Sequence, residues 1–305
     1  MKNYYGSLCT EMYEFLHCHA SEEELAFYLS YAKEGMRILE PLCGSGRFLI
    51  PFMQRGFDIQ GVDSSREMLE KLRRKAPDAH VVQCDIMSYR PSVLFDYAFV
   101  ASSSMSLFTE VATCRSVLAT IRRMLKPDGI LVFGVDTVAC KHEDDADYRL
   151  IAIAPMPESR VLTLRSRNRY EKETQTQFSP GLYELKKEDK VLQSETMDFQ
   201  THLYRFGEME NLLADTGFSD VKTYRSFSKE KAVDSVGEMF LFECRASARR
   251  ARGGTSRAMR RHLHKHDAAR PVISTARYRR GVMCLHAKRR PCGRLLISDG
   301  VGGGI

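Results

Sequence analysis

The stretch 37–50, RILEPLCGSGRFLI, decides the fold of this chain. It passes from a short apolar segment through Glu40 into a turn of small residues, Cys43 to Gly46, and then returns to apolar residues. A glycine turn between a strand and a helix places backbone N–H groups at the carboxyl edge of a sheet, where nucleotide-like ligands bind. The stretch therefore predicts a strand–turn–helix unit with a nucleotide-like ligand at its turn.

Outward from this turn, short apolar strands alternate with helical patterns. The strand patterns cover 37–40, 57–62, 79–83, 95–101 and 130–136, and helical spacing covers 46–55, 65–75 and 113–125. Such alternation requires crossover connections, which give a parallel, doubly wound sheet. Before the first strand, Ser21 and Glu24 form a capping-box signature for a helix. The turn KPDG, 126–129, is expected to end a helix and open the fifth strand.

After residue 148 the apolar pattern changes to a period of two, which is typical of antiparallel strands. We predict an antiparallel β insertion over about 148–205, followed by a helix that stops at Gly217 and by two final strands. One α/β domain is therefore expected over residues 1–246, with the insertion as its lid.

The net charge of +7 is concentrated at one end of the chain. Residues 247–305 hold 15 Lys and Arg against two acids, whereas residues 1–246 hold 31 basic and 37 acidic side chains. This tail has no sustained periodicity and offers little apolar surface, so we predict that it is disordered. A nucleic-acid-binding arm is the alternative, because runs of positive charge attract phosphate.

Several function classes find no support in the composition. No apolar run approaches the roughly 20 residues that cross a bilayer, and the nine cysteines form no repeated spacing. We therefore expect a cytoplasmic protein with reduced thiols and no membrane partner. The clusters HCH (17–19) and CLH…C (284–292) lack the paired spacings of zinc sites, so no metal is predicted.

The acids around the glycine turn indicate the ligand. A dinucleotide site would place a third glycine where Leu49 stands, and Glu40 would repel a pyrophosphate. S-adenosylmethionine carries an ammonium and a sulfonium, which an acid attracts. Asp63, 17 residues after Gly46, ends the second strand where a carboxylate can accept both ribose hydroxyls. Asp85 ends the third strand and is placed to accept from an adenine amino group.

The four segments LEPLCGSGRF, GVDSSREML, CDIMSY and LKPDGILVF resemble, in order and spacing, the motifs of class I S-adenosylmethionine-dependent methyltransferases over about residues 36–137. The resemblance implies a Rossmann-like seven-stranded sheet whose last strand, EMFLFECRA, is antiparallel. It also implies S-adenosylmethionine as cofactor. The cofactor-binding residues expected from it are Glu40, Cys43, Gly44, Gly46, Asp63, Ser64, Met68, Asp85 and Ile86.

The predicted function is methyl transfer from S-adenosylmethionine to an oxygen or nitrogen of a small molecule. By the period of two, Asp198, Gln200, His202 and Tyr204 share one face of an insertion strand, and His202 is the candidate general base because its ordinary pKa is about 6.5. Tyr5 and Tyr13 are candidates to close over the ligand. Two alternatives stay open: a non-catalytic module that binds S-adenosylmethionine or a protein, and a nucleic-acid-directed methyltransferase that uses the basic tail. The sequence carries no signal for the oligomeric state.

Overall fold

The structure, a computed structural model, describes residues 3–234 and 236–247. Of the predicted basic tail, only Ser247 belongs to the described residues, so the disorder expected for 247–305 stays a prediction. Within the described part of the chain, no helix combines the length and apolar character needed to span a membrane.

Helices and strands follow one another much as the patterns predict. The helices are α1 Ser7–Leu16, α2 Glu22–Leu29, α3 Leu49–Met53, α4 Arg66–Lys75, α5 Val111–Met124 and α6 Glu208–Asp215. The strands are β1 Arg37–Pro41, β2 Asp58–Asp63, β3 Val81–Gln83, β4 Phe95–Val100, β5 Leu125–Asp136, β6 Arg149–Met156, β7 Arg160–Ser166, β8 Arg169–Glu171, β9 Thr176–Phe178, β10 Gly181–Lys187, β11 Lys190–Met197, β12 Gln200–His202, β13 Phe218–Tyr224 and β14 Met239–Ala246.

The central sheet has seven strands in the order β13-β14-β5-β4-β1-β2-β3. The strands from β5 to β3 are parallel, and β14 runs antiparallel to both of its neighbours, β5 and β13. Alternate residues of β1 enter different cores: Ile38 packs with Phe27 and Leu72 on one face, and Leu39 packs with Leu118 on the other. Helices therefore cover both faces, and the predicted doubly wound, seven-stranded fold is confirmed.

The predicted antiparallel insertion is also present, but it forms two sheets. One has the order β11-β10-β7-β6 and the other the order β12-β9-β8. The segment SETMDFQTHLY (194–204), which includes the predicted insertion strand with His202, is divided at Asp198 and Phe199, so its two halves belong to different sheets.

The first helix is attached to this insertion. Leu8 and Met12 of α1 pack against Leu162 and Leu164 of β7. The carboxylate of Glu195 in β11 accepts hydrogen bonds from the backbone N–H groups of Leu8 (2.9 Å) and Cys9 (3.1 Å). The first turn of a helix leaves such N–H groups without partners, so Glu195 caps α1 from another element.

Two local predictions are only partly right. Ser21 Oγ accepts from the Glu24 N–H as expected, but the Glu24 carboxylate accepts from the N–H of Ser102 (3.0 Å) rather than completing the capping box. The segment KPDG loops out within β5, because Leu125 pairs with Phe95 while Ile130 pairs with Tyr97.

Candidate functional site

One cavity lies at the carboxyl edge of the parallel strands, beneath the insertion. With its open mouth it contains about 1050 Å³ of space not filled by atoms. Its walls come from the N-terminal segment, from the loops that follow β1, β2, β4 and β5, and from the smaller insertion sheet. Open α/β sheets bind ligands at this edge, so the cavity is the candidate site.

The turn end of the cavity is built by the loops after β1 and β2. Gly44, Asp63, Ser64 and Met68, all predicted from the sequence, line it together with Ser65. Asp63 accepts hydrogen bonds from the N–H groups of Gly44 (2.8 Å) and Ser65 (2.8 Å), which joins the two loops. Removal from water raises the pKa of Asp63, and these N–H groups oppose the rise.

The two glycines of the turn have different surroundings. Gly44 has φ +52° and no atom within 4 Å of the place where a Cβ would be, so the turn leaves space beside the cavity. At Gly46, with φ +86°, a Cβ would stand 2.8 Å from Leu72 Cγ in the core. Cys43 is buried in the same core and does not line the cavity. Gly46 and Cys43 therefore pack the turn against the core and do not line the cavity.

Glu40 is buried behind the turn, outside the cavity lining, with the charge of Arg47 nearby. Burial raises the pKa of Glu40 well above its ordinary value, and the positive charge of Arg47 opposes this rise. Oε2 of Glu40 and Nε of Arg47 are buried without hydrogen-bond partners among the described residues. Arg47 also donates to Ser102 Oγ. Sequence reasoning missed Arg47, although a lone charge in the apolar segment after the glycine turn was a usable signal.

His17, at the end of α1, lies near Arg47 and makes the fold sensitive to acid. Its ring is 5.0 Å from that of Tyr13, and burial, with the nearby charge of Arg47, lowers the pKa of His17 to about 3. Because the unfolded chain binds a proton near pH 6.5 and the folded chain does not, the free energy of unfolding falls as pH drops below 6.5. This contribution ends near pH 3, below which both states are protonated.

We therefore expect His17→Gln to lessen the acid sensitivity of the fold. Urea unfolding at pH 7 and pH 5 should show that the wild-type protein loses about 2 kcal/mol more stability over this interval than the variant does. His19→Gln is the matched control, because His19 is exposed two residues away. Equal losses in the wild-type protein and His17→Gln would contradict the expectation.

The two residues predicted at the end of β3 lie outside the cavity lining. Asp85 is exposed, and its Oδ1 accepts from the Met87 N–H at 2.7 Å. This carboxylate therefore stabilises the turn to which Asp85 belongs. The Ile86 side chain is buried in the core with Leu39 and Val62. Their role at an adenine edge stays a prediction.

The insertion presents to the cavity the face opposite to the one predicted. Phe199, Thr201 and Leu203 line the cavity, whereas His202 does not. The His202 ring packs against Tyr204 at 4.5 Å, and its Nε2 is 4.0 Å from Glu208 Oε2. The alternation of the strand is as expected, but the sheet docks with its other face toward the site.

Burial lowers the pKa of His202, although the charge of Glu208 opposes this shift. A buried imidazole that faces away from the cavity cannot reach an acceptor there. The structure thus gives no support to His202 as the general base.

The segment that carries the turn and the first strands matches a known family. A family model described as "Methyltransferase domain" covers residues 38–129, from β1 into the start of β5. These residues include Glu40, Gly44 and Asp63, and the sheet around them has the expected seven strands with an antiparallel last strand. Residues 38–129 of this chain therefore match a methyltransferase domain.

Named relatives agree with this assignment. The "Putative methyltransferase YqeM" of Bacillus subtilis (strain 168) is 27% identical over 129 residues, which are 41% of this chain and 52% of that protein. The chain therefore matches about half the length of that relative. The glycine/sarcosine N-methyltransferase of Aphanothece halophytica is 25% identical over 241 residues, 71% of this chain and 80% of that protein.

The fold of the methyltransferase domain also resembles a solved structure. The CcbJ methyltransferase from Streptomyces caelestis superposes with a TM-score of 0.63 at 17% identity, covering 80% of this chain and 98% of that one. Because this alignment extends well beyond residues 38–129, it includes elements outside the family match. At this identity the likeness concerns the fold alone.

A second polar group of the methyltransferase domain lies at the far end of the cavity. Asp136 ends β5 and lines the cavity with His142 and Gln177. Gln177 Oε1 accepts from the His142 N–H at 3.0 Å, so the loop after β5 is attached to β9. The sequence interpretation missed Asp136, although an acid at the end of a parallel strand was the signal that identified Asp63.

The N-terminal segment covers the cavity between these two ends. Asn3 donates to the carbonyl oxygens of Leu107 and Gln200, both at 2.9 Å, and its Oδ1 accepts from the Gln200 N–H at 2.8 Å. Tyr5 and Tyr13 line the cavity with their rings 5.6 Å apart. The N-terminal segment thus contacts both a loop of the central sheet and the insertion.

Proposed function

We propose that this protein transfers a methyl group from S-adenosylmethionine to an oxygen or nitrogen of a small molecule. The observation that carries the proposal is one continuous cavity that connects the Asp63 turn with the insertion sheet. Donor and acceptor must lie together for an in-line displacement, so a shared enclosed site supplies the positioning that accelerates the reaction.

The residues of the turn end fit S-adenosylmethionine. Space beside Gly44 admits a ligand close to the backbone, and Glu40, which lies behind the same turn and outside the cavity lining, has one carboxylate oxygen without a partner among the described residues. Asp63 would hold the ribose hydroxyls, and Met68 would pack on the adenine. When bound, this cofactor supplies a methyl group on a positively charged sulfur.

The remaining residues act on the acceptor and on water. Phe199, Leu203 and Tyr13 supply apolar wall, which excludes water from the reacting groups. The N-terminal segment and the insertion roof the cavity, which favours a small acceptor over a polymer. The Aphanothece relative is named for glycine and sarcosine, and acceptors of that size would fit the same proposal. The cytoplasmic location stays a prediction.

Binding of S-adenosylhomocysteine tests the proposal first. We expect saturable binding of this product to the full-length protein by isothermal titration calorimetry, and no binding of NAD under the same conditions. NAD binding without S-adenosylhomocysteine binding would overturn the proposal. Binding without methyl transfer to any small acceptor would instead favour a non-catalytic module.

A further inference from the structure

We propose that Glu24 is a positioning residue of the site, which holds a strained pair of serines, Ser102 and Ser103, in the shape that binds the cofactor. These two residues are called the serine turn below. The inference rests on the proposed function and adds to it a residue from outside the cavity lining. It starts from the backbone of the serine turn and from the contacts around it.

The serine turn has a left-handed backbone. Ser102 has φ +57° and Ser103 has φ +54°, although neither residue is glycine. The Cβ makes this conformation unfavourable, so two such residues in succession persist only where the surrounding structure holds them. Both serines line the cavity. Strained backbone of this kind is concentrated at functional sites, where it keeps a binding geometry in place.

Two elements that are distant in the sequence hold the serine turn. Glu24, on α2 and only 7% exposed, accepts from the Ser102 N–H at 3.0 Å through Oε1, and the Ser102 hydroxyl donates to the same oxygen at 3.5 Å. Ser102 Oγ also accepts from the guanidinium of Arg47. Neither Glu24 nor Arg47 is among the described residues that line the cavity, so both act on it through Ser102.

The serine turn follows β4, in the middle of the sheet edge that carries the cavity. β4 lies between β5, which ends at Asp136, and β1, which leads into the turn with Gly44. In an in-line displacement the methyl group passes between the donor and the acceptor, so the wall between the two ends of the cavity lies beside the transferred group. A shifted wall at this point would misalign the reactants.

The segment after the serine turn is attached to other walls of the cavity. It forms a short 3-10 turn, Ser104–Leu107. Ser106 Oγ accepts from the Asp136 N–H at 2.9 Å, and the Leu107 carbonyl accepts from Asn3 Nδ2 at 2.9 Å. The shape of the serine turn therefore affects the end of β5 and the N-terminal segment as well.

A double-mutant cycle in the full-length protein tests whether Glu24 acts through the serine turn. Affinity for S-adenosylhomocysteine is measured by isothermal titration calorimetry. Glu24→Ala should bind about tenfold more weakly than the wild-type protein, because the turn relaxes and the binding shape becomes a minor part of the population. In the Ser103→Gly background the same substitution should weaken binding only about threefold, because glycine adopts a left-handed backbone without strain.

Two matched controls separate this role from a general effect on stability. Glu23→Ala removes an exposed acid from the same helix and should leave the affinity unchanged. Ser159→Gly eases another left-handed serine, with φ +56°, in the exposed turn before β7. This second control should not reduce the loss of affinity that Glu24→Ala causes. If Glu24→Ala does not fold, Glu24→Gln, which keeps the size of the side chain, takes its place in the same comparisons.

The outcomes separate this inference from the proposed function. Wild-type affinity in the Glu24 variant would overturn the inference and leave the proposed function intact. A loss that Ser103→Gly does not reduce, or that Ser159→Gly reduces equally, would also overturn it, since Glu24 would then only stabilise the fold. Absence of S-adenosylhomocysteine binding in the wild-type protein would instead remove the proposed function, and this inference with it.

Discussion

Replacing Asp63 with alanine is expected to weaken S-adenosylhomocysteine binding by about 100-fold or more. In the proposed complex this carboxylate holds the ribose hydroxyls, and each hydrogen bond to a charged group contributes about 1.5–3 kcal/mol. The substitution also removes the acceptor that joins the Gly44 and Ser65 N–H groups, so the two loops lose their shared anchor. Isothermal titration calorimetry on the full-length protein measures the effect.

Two further variants make this experiment specific. Asp63→Asn keeps one acceptor oxygen and should bind with intermediate affinity. Asp78→Asn changes an exposed acid in the turn before β3 and should bind like the wild-type protein. If Asp63→Ala binds within about threefold of the wild type, Asp63 does not hold the ligand.

The second large effect concerns folding rather than binding. Gly46→Ala should lower the free energy of unfolding by about 3 kcal/mol, because the backbone is left-handed there and the new methyl group meets Leu72 and Ile50 in the core. Chemical denaturation of the full-length variant measures this loss. The loss of stability in Gly46→Ala combines backbone strain with overpacking of the core beside the turn.

Gly44→Ala is the matched comparison, because Gly44 is also left-handed but has open space around it. It should lose only about 1 kcal/mol of stability, while its methyl group projects into the space beside the cavity and weakens S-adenosylhomocysteine binding. Equal stability losses at the two glycines would contradict this account of the turn.

Much of the turn end of the site could be predicted because it depends on local rules. A strand that enters a glycine turn fixes where Glu40 and Gly44 lie, and the next strand brings Asp63 to the same edge. The same rule applied to the fifth strand identifies Asp136. The motif LKPDGILVF does not reach that residue, because it stops at Phe133, three residues earlier in the strand.

The acceptor end could not be predicted from the same kind of pattern. The alternating pattern correctly places His202 on one face of the strand and Thr201 and Leu203 on the other. A period of two does not indicate which of these faces lines a cavity. That choice depends on how the small insertion sheet docks, and Gln175 and Glu208 occupy the side that His202 faces. Glu24 shows the same limit, since a distant N–H group takes the carboxylate that a capping box would use.

The cover over the cavity also determines when a newly made chain can complete its site. Asn3 is synthesised long before its partner Gln200, which follows 197 residues later, and the carboxylate that caps α1 follows at Glu195. The parallel strands that supply the turn have all been made by residue 136. A ribosome-bound chain therefore contains the residues of the ligand-binding turn well before those that enclose the cavity, and β14, which pairs with β5 in the central sheet, is made later still.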